Sequence, residues 1–426
     1  MKIVLKSSSP RRKELLTKMG YKFEVKTFDV DETFNKNKSI TDNVKALGLK
    51  KASVNKEEDY GKILIGCDTI VYFDNQVYGK PKDYNDAYNM LKTLSGRMHY
   101  VASGLAVIYK DKVYNDVIIS KVYFKNLSEE DIKNYIDSGE CFGKAGSYAI
   151  QGLGGNLVDH YEGSLNNIIG LPTERLDEIL TEIFKDDVID WIKNYFDENG
   201  KGCKAIVGIS GGTDSSVVAA LCAKALGKEN VIGVLMPNGY QHDIDVSKKL
   251  VEFLGIKSHE INIKNPVDEL NKLIEEEFDK NPNDVDAYKT NTPSRIRMTT
   301  LYGICALYGG RVANTCNLSE DWIGYSTKFG DSAGDFSPIS AFTKTEVRKL
   351  GKALGLPDLF VNKIPEDGMS GKSDEEKLGF TYDILDKYIR LGICDDLKTK
   401  EKIDYLHKIN LHKIEPMKAY KRWDLV

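Results

Sequence analysis

The residues best suited to chemistry lie in the segment Ser-Gly-Gly-Thr-Asp-Ser at positions 210–215, directly after the apolar run 205–209. Such a run is typical of a buried strand, and the two glycines let the backbone approach an anion closely. Helical spacing follows over 215–226, so the first amide groups of that helix would face a bound phosphate. Asp214 would repel a bare phosphate, which indicates a magnesium ion between the two. The segment therefore predicts a phosphate site with donors from Ser210, Gly211, Gly212, Ser215 and Ser216.

The elements that must position this segment alternate along the second half of the chain. Apolar runs at 205–209, 231–236 and 259–263 predict strands, and the segments 215–226 and 243–254 predict helices. This alternation is typical of a doubly wound parallel sheet, which binds ligands beyond the carboxyl ends of its strands. The phosphate segment follows one of those ends.

Further motifs in the same half make the pattern specific. A helix is predicted over 291–308, followed by Asn-Thr-Cys-Asn-Leu-Ser-Glu at 314–320 and by a loop rich in Gly, Asp and Ser at 324–338. With the first segment, these motifs resemble the pyrophosphatase-loop ATPases, which cleave ATP between its α and β phosphates, and in particular NAD synthetase. Phe-Thr-Lys-Thr at 342–345 and the segment 371–379 extend the resemblance, and the tail 407–416 is similar to the end of that family.

The resemblance implies roles for individual residues. It implies that Asp214 and Glu320 hold Mg²⁺ on the ATP phosphates, and that ATP is also bound by Ser210, Gly211, Gly212, Ser215, Ser216, Arg295, Thr315 and Lys344. It implies that deamido-NAD, whose nicotinate carboxylate is to be amidated, is bound by Asn291, Lys328, Asp331 and Asp335. Two positions depart from the family pattern. Asn314 stands where many members have Gly, and Glu366 stands where a Ser or Thr is expected.

The residue types fit this chemistry independently of the resemblance. A carboxylate is a poor electrophile, so ATP must first convert it into an acyl adenylate. Charge then grows on the departing pyrophosphate, where a metal ion, Lys344 and backbone donors stabilise it most. Ammonia attacks the acyl carbon next, and Asp331 is a candidate base for the proton that ammonium must lose. We therefore expect Lys344 and Asp331 to be catalytic.

A second anion site is indicated near the N-terminus. Ser-Ser-Ser-Pro-Arg-Arg at 7–12 places hydroxyl and guanidinium groups at the start of a predicted helix. Asp-Thr at 68–69 follows an apolar run at 63–66, and 143–152 is a second glycine-rich segment. Over nearly all of residues 1–184 these motifs resemble the Maf family of nucleotide pyrophosphatases, which implies a mixed α/β domain.

This second resemblance implies hydrolysis of a nucleoside triphosphate to the monophosphate and pyrophosphate. Asp68 would be the base that activates water, and the substrate would be bound by Ser7, Arg12, Glu32, Lys51, Thr69, Lys80 and Gln151. The combination of Arg12, Thr69 and Gln151 is similar to the branch that acts on dTTP and UTP. A strand-end carboxylate among cations should stay ionised, and Mg²⁺ or Mn²⁺ would lower the pKa of the attacking water. Lys6 is a departure, because a small residue is more usual there.

Composition restricts the function classes. A chain of 426 residues is long enough for two or three domains, and 41% hydrophobic with 29% charged residues is typical of a soluble globular protein. The net charge of −4 gives no basic field for nucleic acid, and no stretch has the length of a membrane span. We therefore expect a cytoplasmic protein. Its seven scattered cysteines include no Cys-x-x-Cys pair, which favours reduced thiols over a zinc site.

The predicted organisation is two α/β domains. Residues 1–184 would form the Maf-like mixed α/β domain, and residues 185–426 a doubly wound domain of the adenine nucleotide alpha hydrolase-like type. A helix over 173–184, a brief linker near 184–188 and a second helix from Val188 would mark the seam. The implied partners are small nucleotides and ammonia, and the resemblance implies a homodimer formed through the second half.

The sequence therefore predicts a bifunctional enzyme. One half would amidate deamido-NAD with ATP and free ammonia, because no cysteine lies in a glutaminase-like nucleophile motif, and the other would hydrolyse dTTP or UTP. Two alternatives stay open. The second half could be another adenylating enzyme, such as a GMP synthetase or a tRNA-thiolating protein, and the first half could sense nucleotides without turning them over.

Overall fold

The computed structural model describes residues 2–363, 373–416 and 418–420. The chain forms two compact units, Met1–Leu180 and Thr181–Val426, each with a sheet and core of its own. Glu366 and residues 371–372 of the last predicted motif lie outside the described residues.

The first unit is built on a mixed sheet. Its strands are β1 Ile3–Leu5, β2 Phe23–Val25, β3 Ile63–Phe73, β4 Gln76–Tyr78, β5 Met98–Tyr109, β6 Lys112–Phe124 and β7 Val158–Glu162. The order is β2-β1-β3-β5-β6-β7, and β4 pairs with β3. β1 is parallel to β2 and β3, whereas β3, β5, β6 and β7 are antiparallel neighbours. The predicted mixed α/β fold is confirmed.

Five helices cover this sheet: α1 Pro10–Lys18, α2 Ile40–Ser53, α3 Tyr84–Leu94, α4 Glu129–Asp137 and α5 Leu165–Ile169. α2 lies very close to the sheet because glycines stand on both sides of the contact. A Cβ atom built on Gly48 of α2 would lie 2.3 Å from the carbonyl oxygen of Gly104 on β5. One built on Gly66 of β3 would lie 2.3 Å from the backbone nitrogen of Ala52. No side chain larger than hydrogen fits at these positions.

The second unit is built on a parallel sheet. Its strands are β8 Ala205–Gly208, β9 Val231–Leu235, β10 Lys257–Glu260 and β11 Arg311–Val312, in the order β10-β9-β8-β11. Its helices are α7 Thr213–Leu226, α8 Ile244–Leu254, α9 Lys264–Glu277, α10 Asp286–Tyr308, α11 Leu318–Ile323, α12 Lys344–Ala353, α13 Asp358–Val361, α14 Asp374–Leu378, α15 Tyr382–Leu391 and α16 Leu397–Ile414.

Alternate strand residues face opposite sides of this second sheet. Val207 packs in a core with residues of α7, α8 and α12, whereas the adjacent Ile206 packs with residues of α9 and α10. Both faces of the sheet are therefore covered by helices, as parallel sheets require. The predicted doubly wound fold is confirmed.

Two of the predicted elements of the second unit differ clearly in their bounds. The strand predicted at 259–263 is observed at Lys257–Glu260, because the buried Ile263 packs with the helices that cover the sheet and precedes α9. The helix predicted over 291–308 begins at Asp286 and continues through Pro293. Pro293 therefore lies inside the helix and not in its first turn, where proline is commoner.

The predicted linker near 184–188 is wrong. One helix, α6 Thr173–Asn199, runs through this stretch, and the two units divide within it. The segment contains no glycine or proline, and buried apolar side chains continue through it at Leu180, Ile183, Val188 and Ile192. The charged residues at 185–187 do not interrupt the helix, because they occupy its partly exposed positions.

Within the described ranges, no helix is long and apolar enough to cross a membrane. All seven cysteines are free, in agreement with the expectation of reduced thiols.

Two candidate active sites

A cavity of about 610 Å³ in the first unit collects most of the predicted residues. Its walls include Ser7, Arg11, Arg12, Glu32, Lys51, Asp68, Thr69 and Lys80. Gln151 is exposed and does not line this cavity, whereas its neighbour Ile150 does. The structure therefore brings together every predicted residue of the first site except Gln151.

Lys51 connects two carboxylates in this cavity. Its Nζ atom lies 2.5 Å from Oδ1 of Asp68 and 2.6 Å from Oε1 of Glu32. Burial opposes ionisation of Glu32, but the bond from Lys51 and the charges of Lys51, Lys80 and Arg12 outweigh it and lower the pKa of Glu32. Glu32 is thus ionised near neutral pH and lies among cations.

Asp68 is not a strand-end residue, which corrects the sequence interpretation. It lies in the middle of β3 and pairs with Gly104 on β5. The apolar and aromatic residues 70–73 continue the strand beyond it. Its carboxylate reaches Lys51 because α2 lies directly on β3 and β5.

Arg12 and Arg11 have different surroundings. Arg12 donates to Oγ of Ser7 at 3.1 Å, to Oγ1 of Thr69 at 3.2 Å and to the carbonyl oxygen of Gly170 at 2.8 Å. Arg11 also lines the cavity, but it forms no hydrogen bond or ion pair with any residue that the structure describes. Burial and the charge of Arg12 lower the pKa of Arg11. Sequence reasoning assigned phosphate neutralisation to Arg12 and missed Arg11, although both belong to one motif.

The structure also accounts for Lys6. Its Nζ atom lies 2.6 Å from Oδ2 of Asp59, whose side chain is fully buried, and donates to the carbonyl oxygen of Val54 at 3.0 Å. Lys26 and Lys62 also contact Asp59, at 2.5 and 3.1 Å. The charge of Lys6 is thus compensated inside the unit, so this departure leaves no unpaired cation.

In the second unit, the predicted phosphate segment forms a tight turn between β8 and α7. Gly211 has a φ of +77°, and a Cβ atom there would lie 2.8 Å from Oγ of Ser247. The hydroxyl groups of Ser210 and Ser215 lie 3.0 Å apart, and Ser210 accepts from the amide of Gly212. Ser216 differs from them, because it is fully buried and donates to the carbonyl oxygen of Gly212 at 2.7 Å. Its hydroxyl therefore supports the helix start and does not face outwards.

Lys344, the first residue of α12, forms ion pairs with both predicted metal ligands. Its Nζ atom contacts Oδ2 of Asp214 and lies 3.1 Å from Oε1 of Glu320. Burial disfavours the charged form of Lys344, but the two carboxylates more than compensate and raise its pKa. Burial also raises the pKa of Glu320, and although Lys344 opposes this, the nearby Asp214 charge adds to it. The three side chains form one charged group, in which Lys344 is buried and the two carboxylates are partly exposed.

Asn317 joins this group and was missed in the sequence. Its Nδ2 atom donates to Oδ1 of Asp214 at 2.9 Å, and its Oδ1 atom accepts from the amide of Glu320 at 3.1 Å. It is the N-cap of α11, in a capping box with Glu320. The spacing Asn-x-x-Glu at 317–320 could have revealed this, because a polar N-cap with Glu three residues later marks a helix start.

The donor set fits a magnesium ion that is bound together with nucleotide phosphates. Among the described residues, no three or more His, Cys, Asp or Glu side chains are grouped to hold a metal. Mg²⁺ usually takes only one or two carboxylates from the protein and completes its shell with water and substrate phosphates. Asp214 and Glu320 converge on a single ammonium group, which is the arrangement that such an ion needs.

A second polar group surrounds Asp331. Its Oδ1 atom accepts from the hydroxyl of Ser294 at 2.7 Å and from the amide of Thr327 at 2.9 Å. The hydroxyl of Thr327 donates to Oδ1 of Asn291 at 2.9 Å. The residues come from α10 and from the loop after α11, and Thr327 connects Asn291 to Asp331.

The other predicted dinucleotide residues lie along the same loop. Lys328 donates to the carbonyl oxygen of His412, and its own carbonyl oxygen accepts from Nε of Arg295 at 3.3 Å. Arg295, predicted to contact ATP, thus lies beside Lys328. Asp335 accepts from the amide of Val312 at 2.7 Å and contacts β11.

Two further cations belong to this region and were missed. Lys413, near the end of α16, donates to the carbonyl oxygen of Gly324 at 2.7 Å. Burial lowers the pKa of Lys413, and the charge of Asp331 opposes this. Arg297 donates to the carbonyl oxygen of Met236, just beyond β9, at 3.1 Å. Both contacts join segments that are far apart along the chain, so no local sequence pattern predicts them.

The hydrogen bonds of Asn314 account for its departure from the family pattern. It is buried, donates to the carbonyl oxygen of Asp331 at 2.9 Å and accepts from the amide of Cys316 at 2.9 Å and the hydroxyl of Ser337 at 3.0 Å. Its amide group thus fixes the polar loop beside Thr315, where a glycine could not.

Comparisons with known proteins match both halves. The family model of NAD synthase matches residues 184–423, and that of Maf-like proteins matches residues 2–183. The chain is 41% identical over 206 residues to a dTTP/UTP pyrophosphatase of Caldanaerobacter subterraneus subsp. tengcongensis, covering 47% of this chain and 97% of that protein. It is 42% identical over 186 residues to one of Clostridioides difficile, covering 43% of this chain and 96% of that protein.

Among solved structures, the NMN synthetase of Francisella tularensis is similar in sequence and fold. The two are 28% identical with a TM-score of 0.52, and the match covers 57% of this chain and 99% of that one. This likeness supports the parallel-sheet architecture of the second unit.

Proposed function

The chain belongs to the NAD synthase family through residues 184–423 and to the Maf-like proteins through residues 2–183, and from this we propose a bifunctional enzyme. The second half amidates deamido-NAD with ATP and ammonia, releasing AMP and pyrophosphate. The first half hydrolyses dTTP or UTP to the monophosphate and pyrophosphate. The proposed domains are residues 1–184 and 185–426. The proposed location is the cytoplasm, where the enzyme would meet its nucleotide substrates.

The adenylation step is supported by the charged group around Lys344. The nicotinate carboxylate attacks the α-phosphorus of ATP, and the bond to the β-phosphate breaks. Lys344, the amides of Gly211 and Gly212 and the hydroxyl of Ser215 donate to the departing pyrophosphate, where charge increases. Mg²⁺ held by Asp214 and Glu320 would neutralise phosphate charge. The ion pairs of Lys344 with both carboxylates are the observation that carries this proposal.

The amidation step is assigned to the group around Asp331. Ammonia attacks the acyl carbon, AMP leaves with its bridging oxygen, and Asp331 accepts the proton that nitrogen loses. The bonds from Ser294 and from the amide of Thr327 orient its carboxylate. Ammonia is the proposed nitrogen donor, and glutamine is the alternative that the test below separates from it.

The hydrolytic step is supported by the contact of Asp68 with Lys51 in the cavity of the first unit. Water attacks the α-phosphorus, Asp68 accepts its proton, and pyrophosphate leaves. Arg11, Arg12, Lys51 and Lys80 neutralise the triphosphate. Glu32 supplies a carboxylate for the Mg²⁺ or Mn²⁺ that such substrates carry. The two dTTP/UTP pyrophosphatases support an active first half over a nucleotide-sensing module.

One comparison favours a second candidate substrate for the second half of the chain. The similar Francisella protein is described as an NMN synthetase, so nicotinate mononucleotide is the alternative carboxylate substrate. The activated group is the same in both cases. A homodimer through the second half is also proposed, and light scattering of the full chain tests it.

Nucleotide chromatography of the purified chain tests both activities. One reaction contains Mg²⁺, ATP, deamido-NAD or nicotinate mononucleotide, and either ammonium or glutamine, and the other contains dTTP, UTP or GTP with Mn²⁺. We expect NAD and AMP from deamido-NAD and ammonium, and dTMP or UMP from the second reaction. If the amide forms with glutamine but not with ammonium, ammonia is not the nitrogen donor. Faster turnover of the mononucleotide would select the second candidate.

A further inference from the structure

A buried carboxylate outside both proposed sites lies directly behind Lys344. Asp386 on α15 has 5% of its surface exposed. Its Oδ1 atom accepts from the hydroxyl of Ser319 at 2.5 Å, and its Oδ2 atom accepts from the amide of Thr345 at 2.8 Å. The first turn of α12, which begins with Lys344, is therefore bonded to a carboxylate of another helix.

Ser319 connects Asp386 to Lys344 through hydrogen bonds. Its hydroxyl donates to Asp386 and accepts from the backbone amide of Lys344 at 2.9 Å. Ser319 is fully buried and directly precedes Glu320 on α11. The Asp386–Ser319 pair therefore joins α15 to the helix that carries Glu320 and to the start of the helix that carries Lys344.

An ordinary helix cap does not explain this arrangement. α12 already has a capping box, in which Thr343 and Glu346 satisfy the first amides from within the same helix. Asp386 comes from α15 and places a carboxyl group at the positive end of α12. Its two oxygen atoms each accept a hydrogen bond, one from Ser319 and one from the amide of Thr345, and these bonds restrict the position of the first turn. That turn fixes where the ammonium group of Lys344 can lie.

We propose that Asp386 is a positioning residue for the synthetase half, which through Ser319 and the amides of residues 344–345 sets Lys344 relative to Asp214 and Glu320. The inference rests on the proposed ATP-dependent amidation. Asp386 touches no reacting atom, so its effect should appear only through Lys344.

The test compares Asp386→Asn and Ser319→Ala with a matched control in the full chain. Asn keeps the shape but places a donor or a neutral oxygen against the amide of Thr345. Arg390→Gln is the control, because Arg390 joins the same two helices through Glu346 of the first turn, at 2.5 and 2.9 Å, but contacts neither Lys344, Ser319 nor Asp386. Each change is also made in a Lys344→Gln background, and kcat and KM are measured for amide formation.

We expect Asp386→Asn and Ser319→Ala to lower kcat about tenfold to a hundredfold, with the KM for deamido-NAD unchanged. In the Lys344→Gln background they should add little, because effects that act through one group are not additive. Arg390→Gln should leave kcat within about twofold. Equal losses in both backgrounds, or an equal loss in the control, would overturn the proposal. If Asp386→Asn does not fold, Ser319→Ala decides between these outcomes.

A binding measurement separates this inference from the proposed function. Calorimetry of Mg²⁺·ATP with the full chain should show weaker binding by about fivefold or more in the Asp386→Asn chain, since Lys344 is expected to contact the phosphates. If the unsubstituted chain makes no amide but this weakening is found, the proposed function is wrong and the positioning role stands. Unchanged binding and unchanged kcat would overturn the role of Asp386.

Discussion

Lys51 on α2 and Asp68 on β3 are joined by a contact of 2.5 Å that exists only because their two elements lie unusually close together. The glycines Gly48, Gly66 and Gly104 permit that approach. The candidate general base of the first half is thus positioned by residues that carry no functional group.

Gly48→Ala should impair the first half although alanine favours helices. The new Cβ atom would meet the carbonyl oxygen of Gly104 at 2.3 Å, so α2 must move and Lys51 with it. Overpacking of this kind costs about 1–3 kcal/mol, which exceeds the gain of up to about 1 kcal/mol from replacing a helical glycine. We expect dTTP hydrolysis to fall more than about tenfold, with amide formation unchanged, as measured by chromatography.

Ala46→Val is the matched control, because it adds bulk to the exposed face of the same helix. It should leave hydrolysis within about twofold. Full activity of the Gly48→Ala chain would show that the close approach of α2 does not set the position of Lys51.

Arg11→Ala and Arg12→Ala should differ in stability. Arg12 makes three hydrogen bonds inside the unit, and its loss should destabilise the fold by about 1–3 kcal/mol. Arg11 makes none among the described residues, so its loss should leave stability within about 0.5 kcal/mol while raising the KM for dTTP. Steady-state kinetics together with hydrogen exchange of β5 peptides checks both. Equal destabilisation by the two changes would contradict this assignment.

The two activities should be separable by single substitutions. Asp68→Asn should lower triphosphate hydrolysis by about 10²- to 10⁴-fold and spare amide formation. Asp214→Asn should do the reverse, since it removes a partner of Lys344 and a proposed Mg²⁺ ligand. Both products are quantified by chromatography of the same preparation. Loss of both activities from either change would refute two independent sites.

The first unit should lose stability in acid because of His99. This residue is fully buried among aromatic rings, and burial lowers its pKa from 6.5 to about 3. Below pH 6.5 the unfolded chain binds a proton that the folded chain does not, so the free energy of unfolding falls as the pH decreases towards 3. The contribution is up to about 1.4 kcal/mol per pH unit.

His99→Phe should therefore reduce the pH dependence of unfolding between pH 6.5 and 4. His160→Gln is the control, because His160 is exposed on β7 of the same sheet. Hydrogen exchange of β5 peptides, corrected for intrinsic rates, reports on the first unit, whereas tryptophan fluorescence does not, because all three tryptophans follow residue 190. An unaltered pH slope in the His99→Phe chain would exclude His99 as the source.

The parts of the fold that depend on local pattern were predictable. The turn between β8 and α7 needs a buried strand, a glycine with positive φ and a helix start. Each of these has a recognisable pattern in the sequence at 205–216. Asp214, Glu320 and Lys344 lie within family motifs, and for the same reason the sequence indicated them as candidate site residues. The structure brings these three side chains into contact.

Contacts between distant segments were not predictable. Asp386 lies 67 positions from Ser319, and Lys413 lies 89 positions from Gly324, so neither pair forms a pattern along the chain. Asp68 was placed at the end of a strand because an apolar run stopped at Gly66, although pairing with β5 continues past it. A linker was predicted near 184–188, but one helix, α6, continues through that stretch.

The continuity of α6 affects how the two halves can be separated. Proteases cut preferentially at exposed loops, and the stretch 173–199 offers none, so nicking should begin elsewhere in the chain. A truncation after residue 184 would leave each fragment with a frayed helical end, and the C-terminal fragment would begin just before the buried Val188 and Ile192. Fragments that overlap across the whole helix are the better choice for studying either activity alone.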